Sequence, residues 1–386
     1  MNKQWESAYR VIEALEAHGF EAVIVGGAVR DYLLNRTFHD VDVATSALPE
    51  QVKHVFSNTV DVGIQHGTIL VLDGGEPIEV TTYRAESEYV DYRRPEKVFF
   101  VRNLAEDLMR RDFTINAMAM RANGELVDLY NGQRDLQAKV IRAVGNASER
   151  FQEDALRMLR AIRFRAQLGF VIEDATFTAI NEHANLIDHI SVERIVQELD
   201  KVFVSPYIYE AMMTIELTSL ANHLKGTFQS NHWINVVPTS ADEAWAYFYY
   251  LSNDEQLLSD YKCSNKRKSF VKRVNELISI VLENWTPQVL FTYTLEQLQS
   301  ANSINKWLGK PYLERPLVIE MKTQLPIQST QDLAVSGKEL LEWNNQKGGP
   351  WMKEHLQAIT KAVLERQVDN STQSIKEWYD EKFHEG

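Results

Sequence analysis

The apolar run Ala22-Val23-Ile24-Val25 ends on Gly26-Gly27, and helical spacing resumes at once from Ala28 to Leu34. No other feature narrows the fold as much: a buried strand stops at a glycine turn and delivers the chain into a helix N-terminus. Before it, Val11, Ile12 and Leu15 share a helical face, and Gly19 ends that helix. Val41–Ala44, Thr68–Leu72 and Ile78–Thr82 read as three further strands. After Gly145 the pattern changes to long, amphipathic, strand-poor segments, punctuated near Pro206, Pro287 and Pro326 by helix breaks rather than by linkers. There is no low-complexity tract and no strong internal repeat. The prediction is a small α/β head followed by a largely helical remainder.

With 386 residues, 44% hydrophobic and 25% charged, the chain fits two or more domains of a soluble globular kind. No run of about 18 apolar residues offers a membrane span, and the first residues, Met1 to Glu6, lack a secretory apolar core. A single cysteine, Cys263, cannot form an intrachain disulfide, which fits a reducing compartment. A cytoplasmic location is expected. The net charge of -13 argues against an unspecific nucleic-acid binder. Charge distribution matters more than its sum, however. Arg93, Arg94, Lys97, Arg102, Arg110 and Arg111 form one basic stretch; Lys262, Lys266, Arg267, Lys268, Lys272 and Arg273 form another with no acid between them. Either is a solvated helix face or a phosphate track.

Two anchors carry chemistry. In Gly26-Gly27-Ala28-Val29-Arg30-Asp31, Gly27 lets backbone N–H groups approach a phosphate at a helix N-terminus, and Arg30 is placed to bind phosphate oxygens. In Asp40-Val41-Asp42, strand alternation puts both carboxylates on one face, where their repulsion calls for a divalent cation. Glu79, in the strand Ile78-Glu79-Val80, is a candidate third carboxylate, although an acid in such a strand more often simply faces solvent.

This order of Gly-Gly turn, DxD and third acid resembles the nucleotidyltransferase superfamily related to DNA polymerase beta. Further motifs follow: Arg110-Arg111-Asp112-Phe113-Thr114-Ile115-Asn116-Ala117, Asp128-Leu129-Tyr130-Asn131-Gly132, Glu153-Asp154-Ala155-Leu156-Arg157, and Val192-Glu193-Arg194-Ile195 with Glu198-Leu199. In this order they resemble the class II tRNA nucleotidyltransferases, and over nearly its whole length the chain is similar to bacterial CCA-adding enzymes. The resemblance implies an α+β nucleotidyltransferase head with a mixed sheet over 1–145, a base-recognising neck over 146–205, a helical body over 206–310 and a tRNA-binding helical tail over 311–386. It implies two Mg²⁺ ions on Asp40 and Asp42, with Glu79 orienting or activating the attacking hydroxyl. Asp112, beside Arg111, is placed to accept the ribose 2′-OH; the structural alternative is a surface Arg111–Asp112 ion pair, worth little.

Asp154 and Arg157 are expected three apart on one helix face. An acceptor-only group beside a donor-only group matches the Watson–Crick edge of cytosine or adenine and repels uracil and guanine. Side chains would thus replace a template. Arg160 and Arg163 continue the series, but each three-residue step falls about 60° short of a full turn, so they are assigned to phosphate or ribose.

Asp91-Tyr92-Arg93-Arg94-Pro95 resembles the flexible loop that members adding the final A retain. Poly(A) polymerases of the family usually carry an extended basic tail, which the end of this chain, from Lys376-Glu377-Trp378 to Gly386, does not resemble. The expected partners are therefore tRNA, CTP and ATP, with no membrane, and the expected reaction is addition and repair of a 3′-terminal CCA; relatives of this length are often homodimers. An A-adding-only enzyme, a poly(A) polymerase, an inactive RNA-binding scaffold and a small-molecule nucleotidyltransferase remain alternatives. Lys262, Lys266, Arg267, Lys268, Lys272 and Arg273 are the candidate tRNA track. Lys347-Gly348-Gly349-Pro350-Trp351 reads as a structural turn rather than an RNA contact.

Overall fold

A computed structural model describes residues 3–383 except 39, 64–66, 73–74, 87–88, 91–93, 96–97 and 281. The loop expected at Asp91–Pro95 thus lies largely outside the described residues. The chain forms two compact units, Met1–Ala241 with Ser259–Lys262, and Asp242–Leu258 with Cys263–Gly386.

In the first unit, α1 (Lys3–Ala17) buries Trp5, Ala8, Val11, Ile12 and Leu15, a 3.6-residue stripe. It packs on the sheet at β1 (Ala22–Val25), β2 (Asp42–Thr45) and β5 (Ile78–Thr82). Helix α2 (Gly27–Leu33) follows β1 directly, and α3 (Pro49–Val55), β3 (Thr59–Gly63) and β4 (Thr68–Val71) precede β5. Beyond β5, β6 (Arg84–Glu86) pairs with β9 (Val98–Phe100), and β7 (Tyr89–Val90) with β8 (Arg94–Pro95). Then come α4 (Leu104–Met109), β10 (Met118–Met120) and β11 (Leu126–Asp128).

Among the described residues the main sheet runs β11-β10-β1-β2-β5-β4-β3. It is antiparallel except where β2 runs parallel to β5. The mixed sheet agrees with the expected head. Val25 pairs with Asp42 across β1 and β2, and Asp42 with Glu79 across β2 and β5. These two registers bring the glycine turn and the acids to one edge of the sheet. A core of Val23, Val25, Ala44, Tyr83, Leu104, Leu108 and Ala119 fixes α4 against the sheet.

The rest of the unit is helical: α5 (Gly132–Ala138), α6 (Ala147–Glu153), α7 (Leu156–Leu168), α8 (Asp174–Glu182), α9 (Val192–Phe203) and α10 (Ile208–Leu217), with only the short parallel pair β12 (Val140–Ile141) and β13 (Val171–Ile172) between them. Gly169 ends α7 at φ 69°, where a Cβ would lie 2.7 Å from the Tyr207 ring. Helix α7 packs against α9 and α10.

The second unit contains α11 (Ala241–Ser252) after its first residue, the first half of α12 (Leu257–Asp260), and α13 (Asn265–Ser279), α14 (Pro287–Thr292), α15 (Leu295–Trp307), α16 (Arg315–Thr323), α17 (Gly337–Asn344), α18 (Trp351–Leu364) and α19 (Thr372–Phe383). Pro287 opens α14 behind a Thr286 cap, as a helix-start proline should. Lys347 to Trp351 is a structural turn into α18, closed by Trp351 Nε1 donating to the Lys347 carbonyl at 3.1 Å. Among the described residues no helix is long and apolar enough to cross a membrane.

Candidate active site

One cleft in the first unit, of about 830 Å³, gathers the candidates from five segments of sequence. Gly27, Arg30, Asp40, Asp42, Glu79, Arg111, Asp112, Asp154, Arg157, Arg160 and Arg163 all line it. The sequence motifs are far apart in the chain but share one wall-to-wall space.

The acidic end is built on strand register. Asp42 opens β2 and Glu79 sits beside it on β5. Asp40 precedes the strand by two residues, so the DxD spans the strand's entrance rather than lying within it. Burial, then the charge of Glu79 and that of Asp40, push the Asp42 carboxyl above its ordinary range, while Arg111 opposes them. A buried carboxylate crowded by two further acids is a poor arrangement unless a cation balances the charge. Among the described residues no three acid, histidine or cysteine side chains form a ready cage for an ion.

Gly26 has φ 72°, and a Cβ there would come 3.0 Å from Arg111 Nη1. The glycine therefore serves both the turn and the close approach of a guanidinium. Arg30 is more constrained than a free phosphate ligand: its Nε and Nη2 donate to Asp31 at 2.9 and 2.8 Å, and its Nη1 donates to Asn116 at 2.7 Å.

The Arg111–Asp112 ion pair, the structural alternative to a ribose contact, does not form. Arg111 Nη2 donates instead to Asp107 at 3.0 Å. Asp112 Oδ1 accepts from the Phe113 backbone N–H (2.8 Å) and Asn116 Nδ2 (3.1 Å), and its Oδ2 accepts from Arg160 Nε (2.7 Å) and forms an ion pair with Arg160 Nη2 (2.5 Å). Burial alone would raise the Asp112 pKa; the Arg160 charge and the bonds from Asn116 and Arg160 outweigh it and hold it at about 2. Three hydrogen bonds and the charge of the second Arg160 nitrogen occupy the carboxylate. A ribose hydroxyl bonding there shares the carboxylate with Arg160.

The base-reading end also differs from the sequence expectation. Asp154 is not on a helix with Arg157. It is an extended residue, φ -141° and ψ 103°, at the break between α6 and α7. Its Oδ1 accepts from the Leu156 backbone N–H (3.1 Å) and Arg194 Nη1 (3.3 Å), and its Oδ2 accepts from Arg194 Nη2 (2.7 Å). Arg157, in the first turn of α7, donates to Glu153 (2.5 Å) and to the carbonyls of Arg110 (2.8 Å) and Arg150 (3.2 Å). Both still face the cleft, because a helix break, not helical periodicity, aims Asp154.

Arg160 and Arg163 stack their charge around Phe164: the guanidinium carbons of Arg163, Arg30 and Arg160 lie 4.4, 5.1 and 5.7 Å from its ring centre. Arg163 also donates to Glu198 at 3.2 Å in a buried pair. Burial and the neighbouring Arg160 lower the Arg163 pKa to about 10.

Asp107, Arg110, Asn116, Phe164, Gln167 and Lys201 also line the cleft and were not assigned a role from sequence, nor was Arg194. For Asn116 and Arg194 the signal was present in the motifs; for Asp107 only the basic pair three and four residues later pointed to it.

The basic stretch of the second unit is less free than its composition suggests. Arg267 donates to Asp242 at 2.6 Å, and Arg273 donates to the Thr292 carbonyl at 2.5 Å and lies over Tyr293. Lys266 and Lys272 are exposed, Lys268 is half-buried, and Lys262, in the first unit, donates to Glu193 at 3.0 Å.

Family models agree with this architecture. The model described as poly A polymerase head domain matches residues 22–142, and tRNA nucleotidyltransferase domain 2 matches residues 237–379. The chain is 39% identical to the CCA-adding enzyme of Bacillus cytotoxicus, covering 98% of this chain and 99% of that one. It is 40% identical to the CCA-adding enzyme of a Geobacillus species, covering 98% and 97%. Its fold matches the crystal structure of the Bacillus stearothermophilus CCA-adding enzyme in complex with CTP at a TM-score of 0.89 and 36% identity, over 100% of this chain and 99% of that one. The Thermotoga maritima CCA-adding enzyme complexed with tRNA shares the fold at a TM-score of 0.67 and 21% identity, over 99% and 96%. With a cleft of this construction and identity of this extent, the chain belongs to the CCA-adding enzymes, a family of tRNA nucleotidyltransferases.

Proposed function

We propose that this chain builds and repairs the 3′-terminal CCA of tRNA in the cytoplasm, using CTP and ATP without a nucleic-acid template and releasing pyrophosphate. The observation that carries the reading is that one cleft is lined both by the acidic edge at Asp40, Asp42 and Glu79 and by the donor–acceptor set at Asp154 and Arg157.

Asp40 and Asp42 are the residues that would hold Mg²⁺, and Glu79 would orient the attacking 3′-hydroxyl. Two such ions, when bound, favour ionisation of that hydroxyl and offset the charge on the departing pyrophosphate. The chain's own work is positioning. Backbone N–H groups at Gly27 and the guanidinium of Arg111 receive phosphate oxygens. Arg160 and Asp112 bracket the ribose. Asp154 retains an acceptor position on Oδ2 beside its Arg194 bond, suited to the exocyclic amine of cytosine or adenine, while Arg157 donates to the neighbouring ring nitrogen. A carbonyl in place of that amine would face a carboxylate, which disfavours uracil and guanine. The head would be residues 1–145, the base-reading neck 146–205, and the body and tail 206–310 and 311–386, with exposed Lys266 and Lys272 on the tRNA track.

Because the matching head model also bears the name of poly A polymerase, a long A ladder is the second outcome to test. Asp42→Ala tests the reading directly: addition of every nucleotide should cease while tRNA binding stays within about twofold. Incorporation of C near the wild-type rate would remove the metal assignment.

A further inference from the structure

Asp107 has no role in the chemistry above, yet its side chain is 1% exposed and reaches the cleft from α4. Its Oδ1 accepts from Arg110 Nε (3.0 Å), Arg110 Nη2 (2.7 Å) and the Arg84 backbone N–H (3.4 Å). Its Oδ2 accepts from Arg111 Nη2 alone. Burial opposes its charge, but Arg111 and Arg110 keep its pKa below the ordinary carboxylate range. A buried acid is normally costly, and here two arginines and a backbone N–H justify it. The Arg111 end of the arrangement is incomplete. Its Nε is buried without a hydrogen-bond partner, and its Nη1 lies against the Gly26 turn. A guanidinium held by one corner, with buried donors left over beside a glycine turn, is arranged for an oxyanion.

We propose that Asp107 is a positioning residue that tethers Arg111 at the phosphate end of the nucleotide site, which rests on the nucleotide-binding reading given above. The same carboxylate holds Arg110, whose carbonyl accepts from Arg157, and the first residue of β6. It therefore links the phosphate end, the base-reading end and the start of β6.

The two oxygens do separate jobs, which makes Asp107→Asn selective. The amide oxygen takes the three donors now on Oδ1, and the amide NH₂ then points at Arg111 Nη2, donor against donor. Arg110 and Arg84 stay held while Arg111 is released. Loss of a negative charge beside the phosphate site would by itself tighten the binding of CTP; loss of the tether weakens it. The sign of the change separates positioning from simple electrostatics.

The experiment is calorimetric titration of the full chain with CTP in Mg²⁺, for wild type, Asp107→Asn, Arg111→Met and the double variant, with tRNA binding and C-against-U incorporation measured alongside. The Kd for CTP is expected to rise about tenfold or more in Asp107→Asn. The double variant should bind no more weakly than Arg111→Met, and tRNA Kd and base choice should stay near wild type. Unchanged or tighter CTP binding, or losses that multiply in the double variant, would overturn the proposal. Should Asp107→Asn fail to fold, Arg111→Lys tests the same tether: a lone ammonium cannot span Asp107 and a phosphate, so a wild-type Kd there would overturn it too. Wild type that binds CTP but adds no nucleotide would sink the functional reading alone; wild type that binds no CTP would sink both.

Discussion

Asp112→Asn should cost the first unit about 2 to 3 kcal/mol of folding stability at neutral pH, and two routes lead to that figure. Asp112 is 7% exposed, and its Oδ2 accepts a hydrogen bond from Arg160 Nε and pairs with Arg160 Nη2, on a side chain that is 34% exposed. In the variant the amide oxygen keeps the Phe113 and Asn116 donors, and the amide NH₂ confronts Arg160. Breaking a buried ion pair costs about 3–5 kcal/mol, and the part-exposure of Arg160 lowers that. The second route is the proton. A carboxyl held at about 2 against an ordinary 3.8 gains roughly 2 kcal/mol in its charged form. Because the folded-state pKa is depressed, this contribution is complete above the unfolded value and is lost as pH falls from about 4 towards 2. Urea unfolding of wild type and variant, followed at several pH values from 7 down to 3, should show the gap at full size at pH 7 and closing below about pH 4. A gap under about 0.5 kcal/mol at pH 7, or one that widens in acid, would refute the reasoning.

Arg157→Ala should raise UTP incorporation relative to CTP by about tenfold or more, since a charge-assisted donor is lost from the base edge; unchanged rejection of UTP in a competition assay would count against side-chain templating. Lys272→Gln, removing one exposed cation from α13, should weaken tRNA binding and reduce its log–log salt slope by about 0.7 to 0.9. A salt slope equal to wild type would take Lys272 off the phosphate track.

Much of the head was readable because local pattern and tertiary role coincide there. Ala22–Val25 is buried on both sides, so it is uniformly apolar, and the glycine turn after it has a backbone reason in the positive φ of Gly26. Helix α1 was legible from its stripe and its Gly19 stop. What failed was local geometry that long-range partners decide. Asp154 and Arg157 have helical spacing, but the chain breaks at Asp154, whose carboxylate caps Leu156 and takes Arg194 from α9. Nothing in a window around residue 154 announces a partner 40 positions on. Arg111 and Asp112 are adjacent in sequence but point to different carboxylate networks, because the 3₁₀ turn and strand that follow carry Asn116 back under Asp112. Composition likewise overstated the Lys262–Arg273 track: Arg267 and Arg273 are committed to Asp242 and to the end of α14. Charge runs show where cations are, whereas the fold decides which of them a partner can reach.

Selection of C, C and then A by one cleft, followed by arrest, is tested most directly by giving the purified protein Mg²⁺, CTP and ATP, singly and together, with tRNA transcripts ending at the discriminator base, after CC, or after CCA. Product lengths would be read on a sequencing gel. Growth by C, C and A followed by arrest, with the complete transcript left unextended, is the predicted result. Addition of A alone to the CC-ended transcript, a long A ladder, or no addition at all would contradict it.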